Sequence, residues 1–180
     1  VALLKDEGWL TDMRTGIGGA ITTIELAPNN AKNVLLIGTG LQCRFQAECL
    51  SRLSPDIYQY SVWGRSLRNA KKACEDLSSK GLEIKPAKDL EEGVKKADII
   101  ITTTPSTEHI VRNSWVSAST HITSIGADSL GKQELDTDLL HRADLLVSDL
   151  NSQSLDHGEF QSIKETRSAL RPIEIGNIFN

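Results

Sequence analysis

Short apolar runs alternate along this chain with longer stretches in which apolar residues recur every three or four positions. Val34–Ile37 is predicted as a buried strand, Leu41–Leu53 as a helix and Tyr58–Trp63 as a second strand. Ser66–Ser79 places Leu67, Ala70, Ala73, Cys74 and Leu77 on one helical face, Gly81 stops it, and a weak strand is predicted at Leu82–Ile84. An amphipathic segment at Leu90–Lys96 precedes an apolar strand at Ile99–Thr103. Then follow a strand at His121–Ile125, a helix near Leu135–Arg142, a strand at Leu145–Val147 and a helix-like piece at Ser162–Leu170, which Arg171-Pro172 ends. Strands that alternate with helices in this way predict βαβ units: an α/β fold of the Rossmann type, a doubly wound, mainly parallel sheet with helices on both faces.

The first 28 residues read differently. Val1–Leu4 is strand-like, and Thr11 or Asp12 is placed to cap a helix through Met13, Ile17, Ala20 and Ile24 that Pro28 ends. Gly16, Gly18 and Gly19 lie inside it, each costing about 1 kcal/mol relative to Ala, so a close neighbour is expected there. Pro28-Asn29-Asn30 is a turn and the best boundary. The chain opens inside an apolar stretch and ends abruptly after Ile173–Phe179, so it reads as a fragment of something longer.

Composition narrows the function classes. With 20 Lys+Arg against 24 Asp+Glu and no basic block, a nucleic-acid surface is not expected. The longest aliphatic runs are four residues or fewer, far below the ~18 of a membrane span. Cys43, Cys49 and Cys74 form no CxxC pair and the four histidines no ligand spacing, so neither a disulfide framework nor a metal site is expected, and the cytoplasm is the natural compartment. Trp9, Trp63 and Trp115 read as packing residues.

The candidate chemistry begins at Gly38-Thr39-Gly40-Leu41-Gln42-Cys43, a variant of G-x-G-x-x-G/A between a strand and a helix. Gly38 permits the tight turn, Gly40 lets the backbone approach a pyrophosphate at the helix N-terminus, and Thr39, Leu41 and Gln42 are counted with them as cofactor-binding positions. Where NAD enzymes usually carry an Asp or Glu at the end of the second strand, this chain has Gly64-Arg65-Ser66, with Arg68 close behind. A guanidinium and a hydroxyl suit a 2′-phosphate, so NADP(H) is favoured and NAD(H) is the alternative. Thr102–Ser106 ends another strand at the crevice edge. Thr103, Thr104 and Pro105 there either line the nicotinamide ribose or simply end a strand in a turn.

Several segments together resemble the ornithine cyclodeaminase/mu-crystallin family. They are Gly8–Gly16, Ile37–Gln42, Val62–Arg65, Ala97–Ile99, Thr102–Ser106, Ile125–Asp128 and Lys132–Asp136, and the likeness covers nearly the whole chain. The resemblance implies a dinucleotide domain at residues 29–165. Residues 1–28 are then the end of a substrate and dimerisation domain with its connecting helix, and residues 166–180 the return toward that domain. It also implies further carboxylate-binding residues before Val1, and a homodimer. Arg14 matches the family arginine that pairs with a substrate α-carboxylate. Asp128 matches the acid beside the substrate amine, with the role of binding the nitrogen and moving its proton. Lys132 either touches the cofactor or is solvated. Gly158-Glu159 also fits the family pattern, the glycine read as a turn.

The activity expected on this basis is NADP(H)-dependent reduction of a small cyclic imino acid, a ketimine such as pyrroline-2-carboxylate, at its C=N bond. Two alternatives stand beside it: an NAD-dependent ornithine cyclodeaminase giving proline and ammonia, and a non-catalytic NADPH-binding protein of the crystallin kind.

Overall fold

The computed structural model describes residues 1–3, 5–55, 59–164 and 171–179, which form two compact units. The first comprises residues 1–103 and 118–123, the second residues 104–117 and 124–180.

The first unit holds α1 (Trp9–Leu26), β1 (Asn33–Ile37), α2 (Leu41–Leu53), β2 (Gln59–Trp63), α3 (Leu67–Ser78), β3 (Ile84–Pro86), α4 (Leu90–Lys96), β4 (Ile99–Thr102) and all but the last residue of β5 (His121–Ser124). The sheet order is β3-β2-β1-β4-β5, with β1 parallel to β2 and β4, and β2 parallel to β3. β1 and β4 are central, so their apolar residues Val34–Ile37 and Ile99–Ile101 are all buried, which is why both read as unbroken aliphatic runs. This is the α/β Rossmann-type order, and the chain reverses direction in the sheet between β1 and β4. Asp98 closes the other end of those two strands by accepting from the amides of Lys32 and Asn33 at 3.0 and 2.9 Å.

The expected close neighbour of the α1 glycines is α2. A Cβ on Gly16 would meet the Phe45 carbonyl oxygen and the Cys49 sulfur at 3.0 Å, and one on Gly19 would meet Gln46 Oε1 at 2.2 Å. Gln46, fully buried, donates to the Thr15 carbonyl at 2.9 Å. All three cysteines are buried and free in this unit, and burial pushes the Cys43 thiol up to about 12 and the Cys74 thiol up to about 11.

Several boundaries depart from expectation. Val1–Leu3 form no strand, and Leu4 lies outside the described residues. α1 starts at Trp9, before Thr11 and Asp12, because Asp6 accepts from the Leu10 amide at 2.7 Å and Gly8 turns in at φ 86°. The weak strand is Ile84–Pro86, since the Leu82 amide is taken by the Leu77 carbonyl in the turn through Gly81 that follows α3. Tyr58, expected to open the second strand, and residues 165–170 of the expected helix-like piece lie outside the described residues. Trp9 is 55% exposed rather than packed.

The second unit holds α5 (Thr137–Arg142), β6 (Val147–Ser148), α6 (Asn151–Asp156) and β7 (Ile173–Glu174), with β6 and β7 parallel. α5 begins two residues later than the pattern suggests. Leu135 bridges to Val111, and Asp136 caps the helix by accepting from the Asp138 amide at 3.1 Å. Among the described residues no helix is long and apolar enough to cross a membrane, and no group of three or more His, Cys, Asp or Glu is placed to hold a metal ion.

Candidate functional site

The glycine-rich turn sits where the sheet order reverses. Gly38 follows β1 at φ 123°, donates to the Trp63 carbonyl at 2.9 Å, and leaves no room for a side chain, since a Cβ would lie 2.3 Å from Thr103 Oγ1. Thr103 donates its amide to the Ile37 carbonyl at 2.8 Å and its hydroxyl to the same oxygen at 3.2 Å. Gly40 is the N-cap of α2. No side chain caps that helix, no acid lies in its first turn, and a Cβ at Gly40 would point into open space. The first amides of α2, those of Leu41 and Gln42 among them, are thus left for an anion beside the helix's positive end. Cys43, at the third motif position, is fully buried and packs as a small apolar residue would.

One residue outside the expected set shapes this turn. Arg44 donates to the Thr39 and Gly40 carbonyls at 2.6 and 2.9 Å, while its other nitrogens grip Asp76 of α3 at 2.7 and 3.1 Å. The loop carbonyls are thereby claimed, so the loop offers amides. Gln42 turns its side chain toward α1, donating to Asp12 at 2.8 Å, and Leu41 is 64% exposed. At the end of β2, Gly64 is required, since a Cβ would fall 2.5 Å from Thr39 Cγ2. Arg65, Ser66 and Arg68 are exposed, and the Ser66 hydroxyl caps α3 by accepting from the Asn69 amide at 3.4 Å. That oxygen keeps its hydrogen to donate. The donor set, an uncapped helix start with two cations and a hydroxyl at the next strand end, could hold the phosphates of a dinucleotide.

Arg14 lies exposed on α1 in the first unit. In the second unit Asp128 pairs with Lys132 at 2.5 Å, which holds its carboxyl below the usual carboxylate range. Lys132 is half-buried, its side chain 25% exposed, and its ammonium is paired with Asp128. Pro105 is exposed, while the Thr104 amide and hydroxyl both donate to Glu134 Oε1, at 2.6 and 2.7 Å. The other Glu134 oxygen accepts from the Gly126 amide at 2.8 Å. Glu134 is fully buried, as is most of Glu159, whose carboxyl receives the Glu134 amide at 3.0 Å and the Leu135 amide at 2.8 Å. Burial, backed by the charge of Glu134, pushes Glu159 up to about 7. The Ser124 oxygen lies 3.2 Å from a carboxyl oxygen of each acid. One hydroxyl hydrogen serves one acid at a time, so a proton on Glu159 lets Ser124 accept from it and donate to Glu134.

Residues 1–180 match the profile of the Ornithine cyclodeaminase/mu-crystallin family. The chain belongs to that family. An archaeal alanine dehydrogenase dimer with bound NAD superposes with a TM-score of 0.79 at 35% identity, over 87% of this chain and 48% of that one. The Thermococcus litoralis Δ1-pyrroline-2-carboxylate reductase, solved with NADH and L-proline, gives a TM-score of 0.79 at 32% identity, over 88% and 50%. The ornithine cyclodeaminase of Brucella suis is 33% identical over 91% of this chain and 46% of its own length. The chain spans about half the length of the curated relatives it matches.

Against the ornithine cyclodeaminase/mu-crystallin frame, three side chains escaped sequence reasoning. Arg44 directly follows the glycine motif, where only its position hints at a brace. Glu134 and Glu159 stand in segments that carry the family likeness, yet a lone Glu in a polar stretch reads as solvated. Only the folded backbone shows amides converging on them.

Proposed function

We propose that this chain is the dinucleotide-binding part of an oxidoreductase that acts at the C–N bond of a small amino or imino acid. In this reading residues 29–165 are the cofactor domain, and residues 1–28 and 166–180 are the ends of a substrate and dimerisation domain of a homodimer. The observation that carries it is the uncapped α2 start at Gly40 with its carbonyls drawn off by Arg44. Arg65 and Ser66, with no carboxylate at the end of β2, support NADP(H) over NAD(H).

The favoured reaction is reduction of a cyclic ketimine such as pyrroline-2-carboxylate. A bound nicotinamide supplies the hydride that adds to the imine carbon. Arg14, a planar fork on an exposed helix face, takes the substrate carboxylate. Asp128 is ionised and already holds a cation, so it receives the N–H of a protonated imine in exchange for Lys132 and keeps that proton on nitrogen while hydride adds to the imine carbon, leaving a neutral amine; in the reverse direction the same carboxylate orients the amine. Thr103, with its hydroxyl hydrogen turned back to Ile37, keeps its oxygen lone pairs for the dinucleotide, and Thr104-Pro105 contribute backbone.

Calorimetric titration with NADPH and NADH tests the reading. NADPH is expected to bind at least tenfold tighter, and R65E to invert the order. Equal affinities, or tighter NADH, overturn the NADP(H) assignment. A second reading, NAD-dependent cyclodeamination of ornithine, is supported by the NAD and NADH held in the relatives' structures and by the Brucella suis enzyme. Release of proline and ammonia from ornithine with catalytic NAD separates it from ketimine reduction.

A further inference from the structure

Glu134 is a charged side chain with no exposure, placed where an apolar residue of equal volume would fill the space. Its two oxygens face two different backbone segments. Oε1 takes both donors of Thr104, the first residue after the end of β4 in this unit, and Oε2 takes the amide of Gly126, just beyond β5. These segments touch so closely that a Cβ on Gly126 would lie 2.1 Å from the Thr104 carbonyl oxygen and 2.7 Å from the Glu134 carboxyl carbon. The carboxylate is itself fixed from behind. The Glu134 carbonyl accepts from the amides of Ile110 and Val111 at 2.8 and 3.0 Å, and its amide donates to Glu159. Two residues earlier in the same segment, Lys132 reaches Asp128. One short stretch, 132–134, therefore holds Asp128 by its side chain and the root of its loop at Gly126 by its amide, while also holding Thr104.

We propose that Glu134 is a positioning residue that sets the spacing between the Thr104-Pro105 segment and the loop carrying Asp128. The proposal rests on the functional reading above, in which both segments address the reacting end of the substrate and cofactor. A carboxylate suits the task because it accepts from several amides at once and donates to none, so both backbone segments can aim their N–H groups at one point. A glutamine of the same shape cannot do this. Its NH2 group must face either the Thr104 donors or the Gly126 amide, and that side of the clamp opens.

The test uses the full-length protein and E134Q, with T104V, which removes only the hydroxyl, as a milder variant should E134Q fail to fold. Amide exchange is followed by mass spectrometry, and turnover of pyrroline-2-carboxylate with NADPH by absorbance. In E134Q, peptides covering residues 103–109 and 125–131 are expected to exchange at least tenfold faster while peptides of β1 and β2 are unchanged. The kcat is expected to fall at least tenfold, and by more than the dinucleotide Kd rises, since Thr104-Pro105 meets only one end of the cofactor; T104V gives a smaller loss of the same kind. Unchanged protection of both segments, wild-type kcat in either folded variant, or a loss of protection spread evenly over the chain overturns the proposal. Failure of the wild-type protein to bind NADPH or NADH instead overturns the functional reading, and the exchange pattern then decides the clamp by itself.

Discussion

His121 is held neutral at pH 7 by its surroundings. It is largely buried at the start of β5, its Nε2 lies 2.9 Å from Thr123 Oγ1, and that oxygen lies 2.8 Å from Thr23 Oγ1 of α1. Burial pulls its pKa from the ordinary 6.5 to about 4. The Thr123–Thr23 contact links sheet and helix and the neutral ring completes it, so H121F, which removes one hydrogen bond from Thr123 but leaves it paired with Thr23, is expected to cost about 1 kcal/mol, read from urea midpoints at pH 7. Gly64 is the other residue whose replacement has a defined outcome. In G64A the new methyl pushes Thr39, and dinucleotide affinity is expected to fall about tenfold, or ~1.4 kcal/mol, with little change in melting temperature.

At the scale of elements, α1 and α2 pack through glycine. G19A adds a methyl against the buried Gln46 amide and is expected to lose about 1–3 kcal/mol by overpacking, despite alanine's better helix propensity. G18A, one residue away in open space, is expected to gain about 0.5–1 kcal/mol; opposite shifts in melting temperature for the two variants check the helix pairing. The expectation that something packs close to this glycine run was readable because the glycines cost helix stability with no turn to justify them. The mainly parallel sheet was readable for a similar reason, though not its five-strand extent: β1 and β4 are apolar on both faces, and α3 has one apolar stripe and a Ser cap. The glycine turn after β1 was readable because glycine there answers a backbone need. Glu134 and Glu159 were not, because what keeps them inside is a set of backbone amides from residues 104, 126, 134 and 135, brought together only by folding. The early start of α1 was missed for a smaller version of the same cause, a cap supplied by Asp6 from outside the helix.

Over the whole molecule, each unit carries one buried group whose pH dependence is opposite in sign to the other's. His121 belongs to the first, and its folded pKa of about 4 lies below the unfolded 6.5, so this unit loses stability as pH falls through that window. Glu159 belongs to the second, and its folded value of about 7 lies above the ordinary 4.5. Its contribution is complete below pH 4.5 and is lost as pH rises through 7. Each shift corresponds to on the order of 3 kcal/mol. Trp115 reports on the second unit and Trp9 and Trp63 on the first, so single-tryptophan variants unfolded in urea at pH 4.5 and 7.5 are expected to show the two trends separately. E159Q is expected to flatten the second alone. The three cysteines of the first unit bring a clock to the same question. A thiol sealed in the core and held protonated is silent toward alkylating reagents at pH 8, so each labelling event marks one opening of the surrounding structure. Cys43 is the third residue of α2, directly behind the glycine turn, and its labelling half-life, expected to lengthen with a dinucleotide held at that helix start, turns an ordinary maleimide into a meter of occupancy that needs neither substrate nor turnover.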